Sequence, residues 1–168
     1  MSGVDVTKLK ILIVEDNVHF RTLVHSILRA LGIDQLEEAR DGSEALDILG
    51  EITPDLVILD WKMEGMDGVE CVRHIRALEG ANRFAPIIMV TGYTETSLKR
   101  LARDAGVNDF LGKPISPQSL LGRIVSVMEN HHEFYETDDY FGPERRRKTH
   151  KPDGDERRNE QRSPVSRP

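Results

Sequence analysis

The chain has one cysteine, Cys71, one tryptophan, Trp61, and only 5% aromatic residues. A lone cysteine excludes an internal disulfide framework and any multi-cysteine zinc site. No apolar run approaches the ~18 residues that a membrane span needs. The opening stretch, MSGVDVTKLK, lacks the apolar segment of a secretory signal. These absences lead to the expectation of a soluble, cytoplasmic protein. What is present is a chain of 168 residues, 38% hydrophobic and 31% charged. That is enough apolar material for one compact core and too much charge for all of it to be buried. The net charge of −6 argues against binding nucleic acid over the whole surface, so DNA is not an expected partner.

The charge is unevenly placed. Residues 1–130 carry 14 Lys and Arg against 20 Asp and Glu, whereas residues 131–168 carry nine of each. The latter stretch holds four of the eight prolines, and its large apolar side chains are limited to Phe134, Tyr135, Tyr140, Phe141 and Val165. So little apolar surface cannot offset ordering entropy. The expected organisation is a domain over 1–130 and a charged, arginine-rich tail over 131–168, largely disordered when unbound.

Within the first 130 residues two periodicities alternate. Residues 9–14 form a continuous apolar run, as expected of a strand buried on both faces. Phe20, Leu23, Val24, Ile27, Leu28 and Leu31 then follow helical spacing up to Gly32. Residues 35–39 read as a polar edge strand, 42–49 as a short helix, and 56–59 as a second buried strand. Asp67 opens a helix with Cys71, Val72, Ile75 and Leu78 inward. Residues 86–90 form a third buried strand, followed by a helix with Leu98, Leu101, Ala102 and Ala105 inward, then a short strand at 108–111. Ser116 and Pro117 start a last helix with Leu120, Leu121, Ile124, Val125 and Met128 as its apolar face. Five strands each followed by a helix specify an α/β fold with a doubly wound parallel sheet.

In such sheets ligands sit at the carboxyl ends of the strands. Those ends carry Glu15 and Asp16, Asp60, Thr91, and Lys113. Singly, each has an ordinary reading: Asp16 or Asn17 capping the first helix, Thr91 capping the fourth, Lys113 a solvated loop lysine. Jointly, three carboxylates, a hydroxyl and an amine converge. Clustered carboxylates repel unless a hard cation joins them, and Mg²⁺ prefers oxygen ligands. A carboxylate beside such an ion can attack a phosphoryl group, while the ion and a lysine neutralise the developing charge.

The stretches VED (14–16), LVILDWKMEGMDG (56–68), IIMVTG (87–92) and DFLGKP (109–114) together resemble the receiver domain of two-component response regulators. Residues 7–130 are similar to a CheY-like stand-alone receiver throughout. The resemblance implies a flavodoxin-like sheet in the order 2-1-3-4-5. It implies Asp60 as phosphoacceptor and Mg²⁺ held by Glu15, Asp16, Asp60 and the backbone carbonyl of Lys62. It further implies Lys113 on the phosphoryl group, and Thr91 and Phe110 as a switch pair in which phosphorylation draws Thr91 in and lets Phe110 turn inward. The implied partners are a histidine kinase or phosphotransfer protein and a downstream protein target, the flagellar motor switch among the candidates. Three positions depart from the common pattern. Phe110 replaces a tyrosine, Glu64 replaces a proline and is expected to loosen the loop after Asp60, and Lys62 sets a cation beside the acceptor.

The resemblance leaves other readings to weigh. A phosphatase of the haloacid dehalogenase type would need a second aspartate where Lys62 stands. A pseudo-receiver adaptor whose tail docks a protein partner without phosphorylation would have no need of an intact site. No DNA-binding or catalytic output domain fits in residues 131–168, so output is expected from the receiver surface and the tail. The tail carries FGPERRRK (141–148) and ERRNEQR (156–162). Arginine can grip guanine and phosphate through bidentate contacts. Arginine-rich tails on CheY-like receivers that bind cyclic di-GMP are similar, and by that likeness Arg145, Arg146, Arg147, Arg157 and Arg158 would hold the nucleotide with Tyr140 or Phe141 as a stacking surface. A solubilising tail and a protein-docking tail are the alternatives.

Overall fold

The apolar run at the start of the chain forms β1 (Lys10–Val14), the central strand of the first crossover. In the computed structural model, which describes residues 3–92, 96–130, 133–144 and 163–165, it is followed by α1 (Val18–Ala30), β2 (Gln35–Ala39), α2 (Gly42–Leu49), β3 (Leu56–Asp60), α3 (Gly68–Arg76), β4 (Ile87–Thr91), α4 (Thr96–Ala105), β5 (Asp109–Gly112) and α5 (Pro117–Glu129). The sheet runs β2-β1-β3-β4-β5, and every neighbouring pair is parallel. Strand residues alternate between two apolar layers. Ile11, Ile13, Ile58, Ile88 and Val90 pack with Val24, Leu28, Leu120 and Ile124 of α1 and α5. Leu12, Val14, Val57, Leu59 and Met89 pack with Ala45, Val72, Ile75 and Ala102 of α2, α3 and α4. Burial on both faces is why β1, β3 and β4 read as unbroken apolar runs, and the mostly exposed β2 takes the edge.

The helix faces differ in detail from the periodic reading. Leu101 of α4 is an exposed large hydrophobic residue, and Val127 replaces Leu121, Val125 and Met128 among the fully buried residues of α5. Each helix start has a side-chain cap where the sequence offers one. Asp41, Asp67 and Ser116 accept from the third residue of their helices, satisfying N–H groups that have no helical partner. Among the described residues no helix is long and apolar enough to cross a membrane.

The described residues of the tail form strands. Residues 134–137 (β6) and 140–143 (β7) form an antiparallel hairpin around Asp138 and Asp139, and residues 163–165 (β8) pair with β6 on its other side. Phe134 is buried, and its ring meets Phe84 at 5.2 Å and Phe141 at 5.6 Å between centroids, with Phe84 and Phe141 5.3 Å apart. Composition alone does not reveal this hairpin, because two well-placed aromatics suffice to dock it on a preformed aromatic partner, Phe84. The unit packed on the receiver therefore extends beyond residue 130 to at least Pro143. The five tail arginines assigned from the sequence, Arg145, Arg146, Arg147, Arg157 and Arg158, lie outside the described residues.

Candidate acidic pocket at the carboxyl end of the sheet

β1 and β3 are adjacent and in register, Val14 opposite Leu59, so the residues that follow them emerge side by side. Glu15 and Asp60 are buried and Asp16 is exposed, and one oxygen from each of the three lies within 4.8 Å of the others. Asn17, not Asp16, caps α1: its Oδ1 accepts from the Phe20 N–H at 3.0 Å. That assignment frees the Asp16 carboxylate for the pocket and removes the ordinary explanation for it.

Lys113 reaches in from the end of β5. Its Nζ donates to Asp60 Oδ1 at 2.8 Å and stands 3.7 Å from Glu15 Oε2, with about a third of its side chain exposed. The ammonium also lies 4.2 Å from the centre of the Phe20 ring, a cation–π contact that fixes its approach. The following Lys113–Pro114 peptide is cis. Burial raises the Asp60 carboxyl above the usual aspartate range, opposed chiefly by its hydrogen bond to Lys113. Burial likewise pushes the Glu15 carboxyl up to about 7, against the lowering effect of the Asn17 N–H on Oε1 at 3.0 Å.

The pocket fits a hard divalent cation. Glu15 Oε2 is buried and makes no hydrogen bond, and one ammonium faces three carboxylates across a few ångströms. Oxygen donors in this number suit Mg²⁺. The loop after β3 is tied to the same pocket, because the Glu64 N–H donates to Asp16 Oδ2 at 3.0 Å. A proline there could not make that bond. The glutamate therefore anchors the loop, where the sequence reading expected loosening. Gly68 is equally constrained: a Cβ there would stand 2.5 Å from the Asp60 carbonyl oxygen and 2.9 Å from Trp61 Cα, both backbone atoms.

Thr91 is buried at the end of β4, and its carbonyl accepts from the Lys113 N–H at 2.9 Å. Phe110 is only 8% exposed, within the layer that holds Met89 and Ala102, and the Arg103 guanidinium lies 5.6 Å from its ring centre. The ring is packed inside the fold in this conformation. Lys62 presents an exposed side chain next to buried Trp61 and Met63. Of the proposed stacking residues, Tyr140 donates its hydroxyl to the Pro143 carbonyl at 2.7 Å. Phe141 is covered by Arg83, whose guanidinium lies 3.6 Å from the ring centre. Phe141 is half-buried, with one ring face occupied by Arg83. The sequence offered Asn17 as one of two candidate caps, but it did not reveal the Phe20 ring beneath Lys113 or the Glu64 N–H on Asp16.

Comparison with known proteins gives one consistent result. Residues 11–125 match the family model described as the response regulator receiver domain. The chain is 36% identical over 121 residues to the chemotaxis protein CheY-3 of Vibrio cholerae, which spans 72% of this chain and 92% of that protein. It is 34% identical over 119 residues to the phosphate regulon transcriptional regulatory protein PhoB of Escherichia coli. That match covers 71% of this chain and 51% of PhoB, so the chain spans about half the length of that relative. Among solved structures, the receiver domain of the sensor histidine kinase PA1611 from Pseudomonas aeruginosa, described with a magnesium ion coordinated in its active site cleft, superposes with a TM-score of 0.65. It is 31% identical, covering 73% of this chain and 98% of that one.

Proposed function

The chain belongs to the response regulator receiver family, and on that premise we propose that it takes a phosphoryl group on Asp60 from the phosphohistidine of a kinase or phosphotransfer protein. Receiver domains act as signalling proteins rather than as enzymes with a released product. The observation that carries the proposal is the buried Asp60 carboxylate, held by Lys113 at 2.8 Å beside two further carboxylates. In this reading an Asp60 oxygen attacks phosphorus as the bond to the donor nitrogen breaks, and Lys113 neutralises the added negative charge. Glu15, Asp16, Asp60 and the Lys62 carbonyl would hold Mg²⁺, which supplies charge neutralisation at the phosphoryl oxygens. The Thr91 hydroxyl would hydrogen-bond the new phosphoryl group.

Trp61, the chain's one tryptophan and next to Asp60, is the natural reporter. Titration with Mg²⁺ should change its fluorescence saturably, and Asp60→Asn should weaken that response at least tenfold. A Mg²⁺ response unaltered in Asp60→Asn would place the cation elsewhere.

For the output, we propose that the arginine-rich stretch containing Arg145, Arg146, Arg147, Arg157 and Arg158 binds cyclic di-GMP and so links the receiver to control of motility. Its composition supports this: guanidinium groups suit guanine edges and phosphates. Tyr140 or Phe141, both half-buried beside that stretch, would offer the stacking surface. Calorimetry should show micromolar or tighter binding to the full chain and none after Arg145, Arg146 and Arg147 are all changed to Ala. Absence of heat with the full chain would leave protein docking as the role of the tail.

A further inference from the structure

Helix α4 ends against the C-terminal hairpin at a close approach of two glycines. Gly106, at φ +109°, closes the helix. A Cβ on it would meet Arg76 atoms at 3.0 Å and the Phe141 carbonyl oxygen at 3.2 Å. From the other side, a Cβ on Gly142 would stand 3.0 Å from Gly106 Cα. Backbone thus packs directly on backbone.

Beneath this contact lies Arg76 of α3, 4% exposed, with all five guanidinium N–H groups donated to uncharged acceptors. It reaches the Gly106 carbonyl from Nε at 3.1 Å and Nη2 at 2.8 Å, the Arg83 and Ala85 carbonyls at 2.7 Å each, and Asn108 Oδ1 at 2.9 Å. Burial pulls its pKa down to about 9, so it remains charged at neutral pH. Its guanidinium also lies 5.1 Å from the Phe134 ring centre. One buried cation therefore joins α3, the end of α4 and the hairpin.

The other end of α4 leads back to the pocket. The helix connects β4, which ends in Thr91, to β5, which carries Phe110. Arg103 of α4 covers the Phe110 ring, and its carbonyl accepts the Gly106 N–H at 3.0 Å. A displacement of α4 set off at Thr91 and Phe110 arrives at Gly106 within one rigid element. There the two glycine backbones meet directly, flanked by the side chains of Arg76 and Tyr140, so little slack is left to absorb it.

We propose that the 134–143 hairpin is an output relay: ligation of Asp60 by a phosphoryl group shifts α4 and loosens the hairpin from Gly106 and the aromatic cluster. This rests on Asp60 being the phosphoacceptor. The hairpin leads into the arginine-rich stretch that follows Glu144, so the two states would present that stretch differently. Coupling of this kind is reciprocal: what undocks the hairpin must favour ligation of Asp60.

Amide hydrogen exchange on the full chain tests this, with beryllofluoride and Mg²⁺ as the phosphoryl mimic and Trp61 fluorescence to follow ligation. Exchange over 134–143 should quicken on ligation in the wild type and stay unchanged in Asp60→Asn. Phe141→Ala, which weakens the dock, should bind beryllofluoride about fivefold or more tightly than wild type. If Asp60 is ligated while exchange over 134–143 is unchanged or slower, or if Phe141→Ala binds no more tightly, the relay is wrong and the phosphoacceptor stands. If beryllofluoride does not ligate Asp60 at all, the phosphoacceptor reading fails and takes the relay with it.

Discussion

Glu15 is the residue whose environment most contradicts its chemistry. It is 2% exposed, its Oε2 has no hydrogen-bond donor, and burial raises its carboxyl to about 7. An unfolded-chain glutamate loses its proton near 4.5, so between about pH 5 and pH 7 the native state holds a proton that the unfolded state has released. Stability must then fall as pH rises through that window. Asp60, also raised by burial, contributes in the same direction. Without divalent cation, the free energy of unfolding should drop by about 1–3 kcal/mol from pH 5 to pH 8, and Glu15→Gln should flatten the slope. Mg²⁺ competes with those protons, so it should restore stability at pH 8 and have little effect at pH 5. Urea denaturation at both pH values, with Mg²⁺ and with a chelator, reads all of these effects. A steeper slope in Glu15→Gln would contradict the burial argument.

At the scale of elements, the fold makes its tightest demands where helices begin and end. Gly68 lets α3 start directly against the Asp60 and Trp61 backbone, its own N–H donating to the Trp61 carbonyl at 2.7 Å. The opposite end of α3 supplies Arg76, which does for the turns after α3 and α4 what a water cluster would otherwise do. Arg76→Met keeps the aliphatic stem and removes every donor, leaving the Gly106, Arg83 and Ala85 carbonyls and Asn108 short of partners. Such a loss should cost about 3 kcal/mol or more, measured by urea denaturation. It should also speed exchange over 134–143 more than over β1, because the hairpin sits on the guanidinium itself. A loss below about 1 kcal/mol would show that the buried cation is replaceable by packing.

Over the whole molecule, the sheet and the acidic pocket were legible for one reason. Parallel strands buried on both faces read as apolar runs, and the residues just past Val14, Leu59, Val90 and Gly112 must then meet at one end of the sheet. What stayed hidden depends on partners remote in sequence or on backbone groups. Whether Asp16 or Asn17 capped α1 needed the Phe20 N–H to be located, and the Glu64 N–H on Asp16 is a backbone donor that no side-chain pattern reveals. The hairpin was lost in the polar composition of residues 131–168, because its stability comes from Phe134 and Phe141 meeting Phe84 and Arg83 some fifty residues earlier. The periodicity of α4 and α5 placed Leu101 and Val125 inward, whereas Leu101 is exposed and Val125 half-buried, because helical spacing alone does not fix how far around the helix the neighbouring elements reach. The central claim, that the buried carboxylate at the end of β3 is the group that receives phosphate, is tested most directly by intact mass after incubation with acetyl phosphate. With Mg²⁺ present the wild-type chain should gain one phosphoryl group, with a chelator none, and Asp60→Asn none under either condition. Equal labelling of wild type and Asp60→Asn would contradict the account.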